Sequence, residues 1–61
     1  MYYVVSIWGN FVKNRFGEIC FTGDILYQGS SLSEAIRVKR CFGDSYDVYS
    51  FDGNSFFRVS Y

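Results

Sequence analysis

The clearest alternation of apolar and polar residues covers residues 18–28. Its odd positions carry large apolar side chains around a central glycine: Ile19, Phe21, Ile25 and Tyr27. The even positions are mostly polar, and a period of two over eleven residues is typical of a strand with one buried face. Residues 2–12 follow a compatible pattern, so the two segments predict a long antiparallel hairpin, 2–12/18–28.

The connection between these strands is predicted to be the loop 13–17, with Gly17 in a left-handed conformation. The implied cross-strand pairs are Phe11–Ile19, Gly9–Phe21, Ile7–Gly23, Val5–Ile25 and Tyr3–Tyr27. Odd residues of both strands are then expected to face inward. The outward side carries Tyr2, Val4, Trp8, Val12 and Leu26. An alternative interpretation has a tight turn at Gly9-Asn10 and a shorter second strand.

A helix is predicted over residues 32–42. Ser31 and Glu34 have the spacing of a capping box, with Ser31 as the N-cap residue. Gly43 suits the position just after the last helical residue. An apolar stripe for packing on a sheet lies between them: Leu32, Ala35, Ile36, Val38 and Phe42.

The C-terminal segment predicts a second hairpin, 45–51/54–61, around Asp52-Gly53, a preferred two-residue turn. The implied pairs are Phe51–Asn54, Tyr49–Phe56, Asp47–Arg58, Val48–Phe57 and Tyr46–Val59. Opposite charges at Asp47 and Arg58 indicate the solvent side. The inward side chains are then Tyr46, Val48, Phe57 and Val59.

Together these elements predict a small α+β fold of the type ββαββ. We expect one domain over residues 1–61, with a four-stranded antiparallel sheet and one helix packed on one face. The order of the two hairpins within the sheet is not readable from the sequence.

Composition adds a surplus of large apolar residues to this picture. The 61 residues include 14 aromatic and 12 Val, Ile or Leu side chains. One helix on a small sheet encloses roughly 12–15 side chains. Some large apolar residues are therefore expected at the surface, where a contiguous group would indicate an interface.

The face of the sheet away from the helix is the predicted location of that surplus. Its candidate partner-binding residues are Trp8, Tyr49, Phe51 and Phe56, beside Asp47 and Arg58. Trp, Tyr and Arg contribute most to binding energy at protein interfaces. The alternative is that the segment 9–17 covers this face, or that the sheet closes partly into a barrel, within one protomer.

The charges suggest a second candidate surface. Six basic residues balance six acidic ones, so a strong electrostatic attraction to nucleic acid is not expected. Basic side chains beside sheet aromatics would nevertheless suit single-stranded nucleic acid. The candidates are Lys13, Arg15, Arg37, Lys39 and Arg40.

Catalytic chemistry has little support in the residue types present. The chain has no histidine, the commonest general base, and no partner that would activate Cys20 or Cys41. Two cysteines without histidine fall short of a structural zinc site. We expect no enzymatic activity, no cofactor and no metal.

The two cysteines also indicate the cellular compartment of the protein. Cys20 and Cys41 are predicted on opposite sides of the fold as reduced thiols, which favours a cytoplasmic protein. We expect neither a secretory signal nor a membrane span, because the start lacks a basic region and the apolar runs are short.

The resulting functional expectation is a small protein-binding module. Its size and aromatic content are typical of phage or mobile-element proteins that inhibit or redirect a host protein by occupying its surface, a parallel without a motif match. The alternatives are a single-stranded nucleic-acid-binding protein and a structural homodimer with outer sheet faces together.

Overall fold

The predicted α+β fold is present in a computed structural model of the chain, which describes residues 1–60. Its elements are, in chain order, β1 (Tyr2–Ser6), β2 (Phe11–Lys13), β3 (Ile19–Phe21), β4 (Ile25–Gly29), α1 (Leu32–Phe42), β5 (Tyr46–Phe51) and β6 (Phe56–Arg58). Four strands form an antiparallel sheet in the order β4-β1-β5-β6, and β2 pairs with β3 in a separate sheet. The two hairpins therefore join through β1 and β5.

Helix α1 spans residues 32–42, the range that the sequence predicts. Ser31 accepts a hydrogen bond from the Glu34 N–H at its Oγ (3.2 Å), and Gly43, with φ +89°, donates its N–H to the Lys39 carbonyl (2.8 Å). These bonds satisfy end groups that have no partner within a helix. The capping box is only half formed, since the Ser31 N–H donates to the Tyr27 hydroxyl instead (3.4 Å).

The prediction of straight strands over 2–12 and 18–28 is wrong. The strands are interrupted at residues 7–10 and 22–24, where the hairpin folds back on itself. At this bend the two strands cross, and Gly9 lies against Gly23; the contact is called the crossing below. A β-carbon on Gly23 would lie 2.8 Å from the Phe21 ring and 3.0 Å from Gly9 Cα. Only residues without a side chain fit here. The distal part of the hairpin, residues 10–22, is called the arm below.

The bend changes the pairing of β1 with β4. Val5 lies opposite Ile25 as predicted, but a register shift between Val4 and Val5 places Tyr27 opposite Val4. The predicted pair Tyr3–Tyr27 is therefore wrong. Such a bulge adds one residue to one strand and exchanges the faces of the residues beyond it.

Pairing within the arm differs from the prediction by two residues. Phe11 lies opposite Phe21 rather than Ile19, and Lys13 lies opposite Ile19. The connecting loop, residues 14–18, still has five residues but begins one position later than predicted. Gly17 lies in it with φ +79°, the left-handed conformation that the sequence predicts. The predicted pairs Gly9–Phe21 and Ile7–Gly23 fall in the bend and are not strand pairs.

The assignment of the faces of β1 is also corrected. Tyr2, Val4 and Leu26, predicted to point outward, pack in the core beneath the helix with Ala35 and Val48. Tyr3, predicted to point inward, contacts the rings of the arm and of β6 on the outer face, the sheet face away from the helix. Val4 and Val5 are both fully buried, so β1 is covered on both of its sides.

The C-terminal hairpin has a wider turn than predicted. Asp52 Oδ1 accepts hydrogen bonds from the N–H groups of Asn54 and Ser55 (both 2.8 Å), and Phe51 pairs with Phe56 across a four-residue turn. The register moves by two, which preserves the predicted faces. It also places Arg58 opposite Tyr49 rather than Asp47, and Phe57 opposite Ser50.

Phe57 keeps its predicted face but lies opposite Ser50, beyond Val48, and is exposed instead of in the core, whereas Val59 packs against the core as predicted. Strand β6 ends at Arg58. The predicted strand end at Tyr61 lies outside the described residues.

A helix that crosses a membrane needs about 20 apolar residues. Within residues 1–60 no helix meets that requirement, and α1 has eleven residues.

Candidate partner-binding surfaces

The arm lies on the outer face and covers much of the predicted partner-binding surface. The Phe11 ring stacks on that of Phe56 with centroids 3.7 Å apart and planes 15° from parallel, and it meets Tyr49 edge-on at 5.5 Å. Phe51 stacks on the other side of Phe56 at 4.5 Å. Tyr49, Phe51 and Phe56 are all half-buried within the protomer. Phe11 covers Tyr49 and Phe56, which is the covering by segment 9–17 that the sequence left as an alternative.

Asp47 and Arg58 form an ion pair at the border of this face. Arg58 Nη2 lies 3.4 Å from Asp47 Oδ1 along a diagonal between neighbouring strands. The guanidinium is mostly exposed, and exposed pairs of this kind contribute less than about 1 kcal/mol. Asp47 and Arg58 therefore add a polar contact beside the half-buried rings but contribute little to the stability of the fold.

Trp8, the remaining predicted partner-binding residue, lies elsewhere. Its side chain is 59% exposed and packs edge-on against Tyr46 with ring centroids 5.7 Å apart. Phe42, 58% exposed, meets Tyr46 from another direction at 5.9 Å. Ile7 is also mostly exposed and precedes Trp8 in the turn. These four residues, Ile7, Trp8, Phe42 and Tyr46, are called the Trp8 patch.

Backbone bonds hold the Trp8 patch in place. The Ile7 N–H donates to the Ser45 carbonyl (3.0 Å), and the Gly9 N–H closes the turn onto the Ser6 carbonyl (3.3 Å). The cap at Gly43 ends the helix directly after Phe42. Turn, helix end and β5 therefore meet at one corner of the fold, which keeps the exposed rings on rigid elements.

The sequence pattern missed two members of this patch. It assigned Ile7 and Phe42 to the interior because each continues an apolar alternation or stripe, whereas Tyr46 packs against the core as predicted and also contacts the two exposed rings. A signal was nevertheless present, since Phe42 is the last helical residue before the predicted cap and Ile7 lies just before Gly9-Asn10. Apolar residues at element ends extend past the layer they would cover.

The basic residues of the nucleic-acid hypothesis divide between two places. Lys13 and Arg15 lie at the arm tip, where the Arg15 guanidinium stands 5.3 Å from the centroid of the exposed Phe16 ring. The other three lie on α1: Arg37, Lys39 and Arg40. Arg37 is paired with Glu34 (2.6 Å) and Lys39 with Asp44 (3.5 Å), which lowers the positive charge available on the helix.

Two surface depressions complete the candidate sites. One, of about 550 Å³, lies along α1 and is lined by Ser33, Ile36, Arg37, Arg40 and Cys41. The second, of about 380 Å³, lies beside the Asp47–Arg58 pair and is lined with polar groups. Cys20 and Cys41 are both free and exposed. No group of three or more Cys, Asp or Glu side chains within residues 1–60 is placed to hold a metal ion.

Asp52, in the turn between β5 and β6, is an acidic residue whose pKa is changed by the fold. The backbone N–H groups of Ser55 and Asn54 donate to its carboxylate and lower the pKa of Asp52 below its usual value of 3.8. Both donors are backbone amides of the same turn, so the lowered pKa reflects hydrogen bonds that favour the charged carboxylate when the turn is formed.

Comparison of the chain with protein-family models, with curated proteins and with solved structures found no match.

Proposed function

We propose that this chain is a small, non-enzymatic protein-binding module that contacts its partner through the Trp8 patch. The observation that supports this function is the joint exposure of Trp8 and Phe42 around the half-buried Tyr46. Isolated exposed apolar residues are ordinary, whereas a contiguous aromatic group on rigid backbone is typical of interaction sites.

The size of the patch suits the centre of an interface. Trp and Tyr are enriched among the few residues that carry most of the binding energy, and those residues cluster near the interface centre. An interface of standard size covers about 800 Å² on each partner. The whole described surface is 4255 Å². A partner seated on the patch would therefore cover roughly a fifth of the molecule, including neighbouring polar groups of α1.

The proposed biological role is inhibition or redirection of a host protein by occupying its surface. This part of the proposal rests on the resemblance in size and aromatic content to small phage and mobile-element proteins. Occupying a surface requires complementary shape and no catalytic group, which a cluster of exposed and half-buried rings can supply.

The test compares two variants with matched exposure. Trp8→Ala removes the centre of the patch, and Phe57→Ala removes an equally exposed ring, 56% accessible, outside it. Each tagged protein captures partners from the source cell extract, and recovered proteins are quantified by mass spectrometry. Candidates are then expressed and their Kd values measured against both variants.

We expect Trp8→Ala to weaken binding about 30-fold, as for a hot-spot residue worth about 2 kcal/mol. The Phe57→Ala variant should bind like the wild type, and the thermal midpoint should change little in both. Equal binding by the wild type and Trp8→Ala would contradict the proposal. So would equal losses in the two variants.

Binding of single-stranded nucleic acid is the second candidate, and one observation favours it. Arg15 and the 74%-exposed Phe16 lie together at the arm tip next to Lys13, which combines a stacking ring with positive charge. Fluorescence anisotropy with a labelled oligonucleotide tests this function. Affinity should fall steeply between about 50 and 200 mM salt and should be lost in Arg15→Ala. Absence of binding at low salt removes this candidate.

A homodimer with outer faces together is less well supported, because the arm occupies that face. Light scattering coupled to size exclusion measures the mass directly. A monomer mass across the accessible concentration range would exclude this alternative.

A further inference from the structure

We propose that the arm is a lid, which opens independently of the four-stranded sheet and is held shut mainly by Phe11. Opening would uncover a preformed aromatic surface on the outer face. This inference concerns a different surface from the Trp8 patch and does not depend on the function proposed for that patch.

The first observation is that the arm has no polar attachment to the main sheet. Within the described residues 1–60, no hydrogen bond or ion pair joins residues 10–22 to the rest of the chain. The backbone bonds nearest the crossing, such as that between the Ser6 N–H and the Asp24 carbonyl (3.0 Å), lie outside the arm. Lifting the arm therefore breaks side-chain packing but no backbone ladder.

The second observation is the role of one side chain in that packing. Every aromatic contact between the arm and the sheet, among the residues that the structure describes, involves Phe11. Its ring touches those of Tyr3, Tyr49 and Phe56. Phe21, by contrast, contacts Phe11 and the two glycines of the crossing.

The third observation is that the arm has bonds of its own. Asn10 and Thr22 are joined by backbone and side-chain hydrogen bonds of 2.9 to 3.4 Å at its base. Asn14 Oδ1 accepts from the N–H groups of Phe16 and Glu18 at its tip (2.9 and 3.0 Å). These bonds join the arm only to itself, so it separates from the sheet without the rest of the chain, with Gly9 and Gly23, free of side-chain restriction, as the points of rotation. Away from the sheet, a two-stranded hairpin is only marginally stable in water, so the internal bonds of the open arm break readily and its amides exchange.

Opening would expose Tyr3, Tyr49 and Phe56 together, beside the Phe51 ring that stacks on Phe56. Tyr49 and Phe56 belong to the surface that the sequence predicts to bind a partner. The closed arm therefore covers that surface within the protomer, and the Phe11 ring packs at its centre. Units with few buried contacts open at lower free energy than the whole protein.

Native-state hydrogen exchange of the intact chain tests the lid directly. We expect the amides of Asn14 and Thr22 to exchange at least about tenfold faster than those of β1 and β5, relative to their intrinsic rates. Equal opening rates and equal denaturant dependence for arm and sheet would overturn the proposal, because they would show that the arm opens only when the whole protein unfolds.

Two variants on the same strand identify the side chain that holds the arm. Phe11→Ala should accelerate exchange of the arm amides by at least about a further tenfold and increase binding of a hydrophobic dye, while β1 and β5 stay protected. Val12→Ala, on the opposite side of β2, should change neither. Equal effects of the two variants would overturn the assignment to Phe11.

A third variant covers the case in which Phe11→Ala does not fold. Phe11→Leu keeps most of the apolar volume but removes the ring stacking, and it should give an intermediate increase in arm exchange. Arm exchange as slow as in the wild type would contradict the role of the ring.

Discussion

The Phe11 ring of the arm stacks on the Phe56 ring of β6, with centroids 3.7 Å apart and planes 15° from parallel. This contact brings together two segments from opposite ends of the chain and gives the outer face of the sheet a cover. A chain this short has one helix for one face, and the folded-back arm supplies a second layer. The predicted aromatic surplus is thereby partly half-buried on the outer face. Among residues 1–60, the exposed rings are Trp8 and Phe42 at the Trp8 patch, Phe16 at the arm tip and Phe57 on β6.

Adjacent phenylalanines of β6 should differ sharply in their contribution to stability. Phe56 stacks between Phe11 and Phe51, whereas Phe57 is mostly exposed. Phe56→Ala should lower the free energy of unfolding by about 2–3 kcal/mol, below the value for a fully buried ring because the site is half open. Phe57→Ala should lower it by less than about 1 kcal/mol. Urea denaturation of both variants checks this prediction, and equal losses would show that the outer face is not packed.

The crossing should not tolerate a side chain. Gly23→Ala places a methyl group against Phe21 and Gly9, and overpacking of this kind should cost about 3 kcal/mol or prevent the bend. Gly17→Ala is the control, since its φ of +79° is strained for alanine but its surroundings are open, which costs about 1 kcal/mol. In calorimetry, the midpoint temperature of Gly17→Ala should be lower than that of the wild type, and that of Gly23→Ala should be lower still. A Gly23→Ala protein as stable as Gly17→Ala would contradict the tight crossing.

The N-cap of α1 should be a distinct contribution to stability. Ser31→Ala removes the acceptor of the Glu34 N–H and should cost about 1 kcal/mol. Ser30→Ala, one residue earlier and exposed, should change the free energy of unfolding by less than about 0.5 kcal/mol. The prediction fails if circular dichroism melts show the two variants to be equally stable.

Asp52 should make stability depend on pH in the acid range. Its pKa is lowered in the folded state by the N–H groups of Ser55 and Asn54, so the stabilisation is fully present above the unfolded value of about 3.8. It is lost as pH falls through the lower folded-state pKa. Asp52→Asn keeps an oxygen acceptor but removes the charge. The variant should be less stable than the wild type at neutral pH, and the difference should shrink towards zero at about pH 2.

Denaturation at several pH values measures this difference. A constant gap between wild type and Asp52→Asn across the acid range would show that the carboxylate charge does not stabilise the turn.

Local chemistry made the helix and its ends predictable. The spacing of Ser31, Glu34 and Gly43 specifies both caps, and the structure places α1 between them. Gly17 and the Asp52-Gly53 pair likewise located two turns, because residues that suit a left-handed conformation or accept turn N–H bonds act within a few positions of themselves. The width of the second turn differed because the Asp52 side chain caps two N–H groups.

Alternation along β1 showed which residues share a face. Which layer covers each face depends on contacts between residues that are distant in sequence. Tyr3 and Phe11 do belong to one apolar side of the hairpin, as the period of two indicates. That side closes on itself through the bend at Gly9 and Gly23, and the helix covers Tyr2 and Val4 on the other side. A period of two is identical in both arrangements, so the choice depends on contacts between distant segments.

The position of the Trp8 patch also depends on contacts between distant segments. Trp8, Phe42 and Tyr46 come from a turn, a helix end and a strand, and each is an ordinary apolar residue in its own segment. Composition alone required some large rings to remain at the surface of so short a chain. Their position was set by packing, because side chains at the ends of elements extend beyond the opposing layer, and that geometry exists only once the elements have assembled.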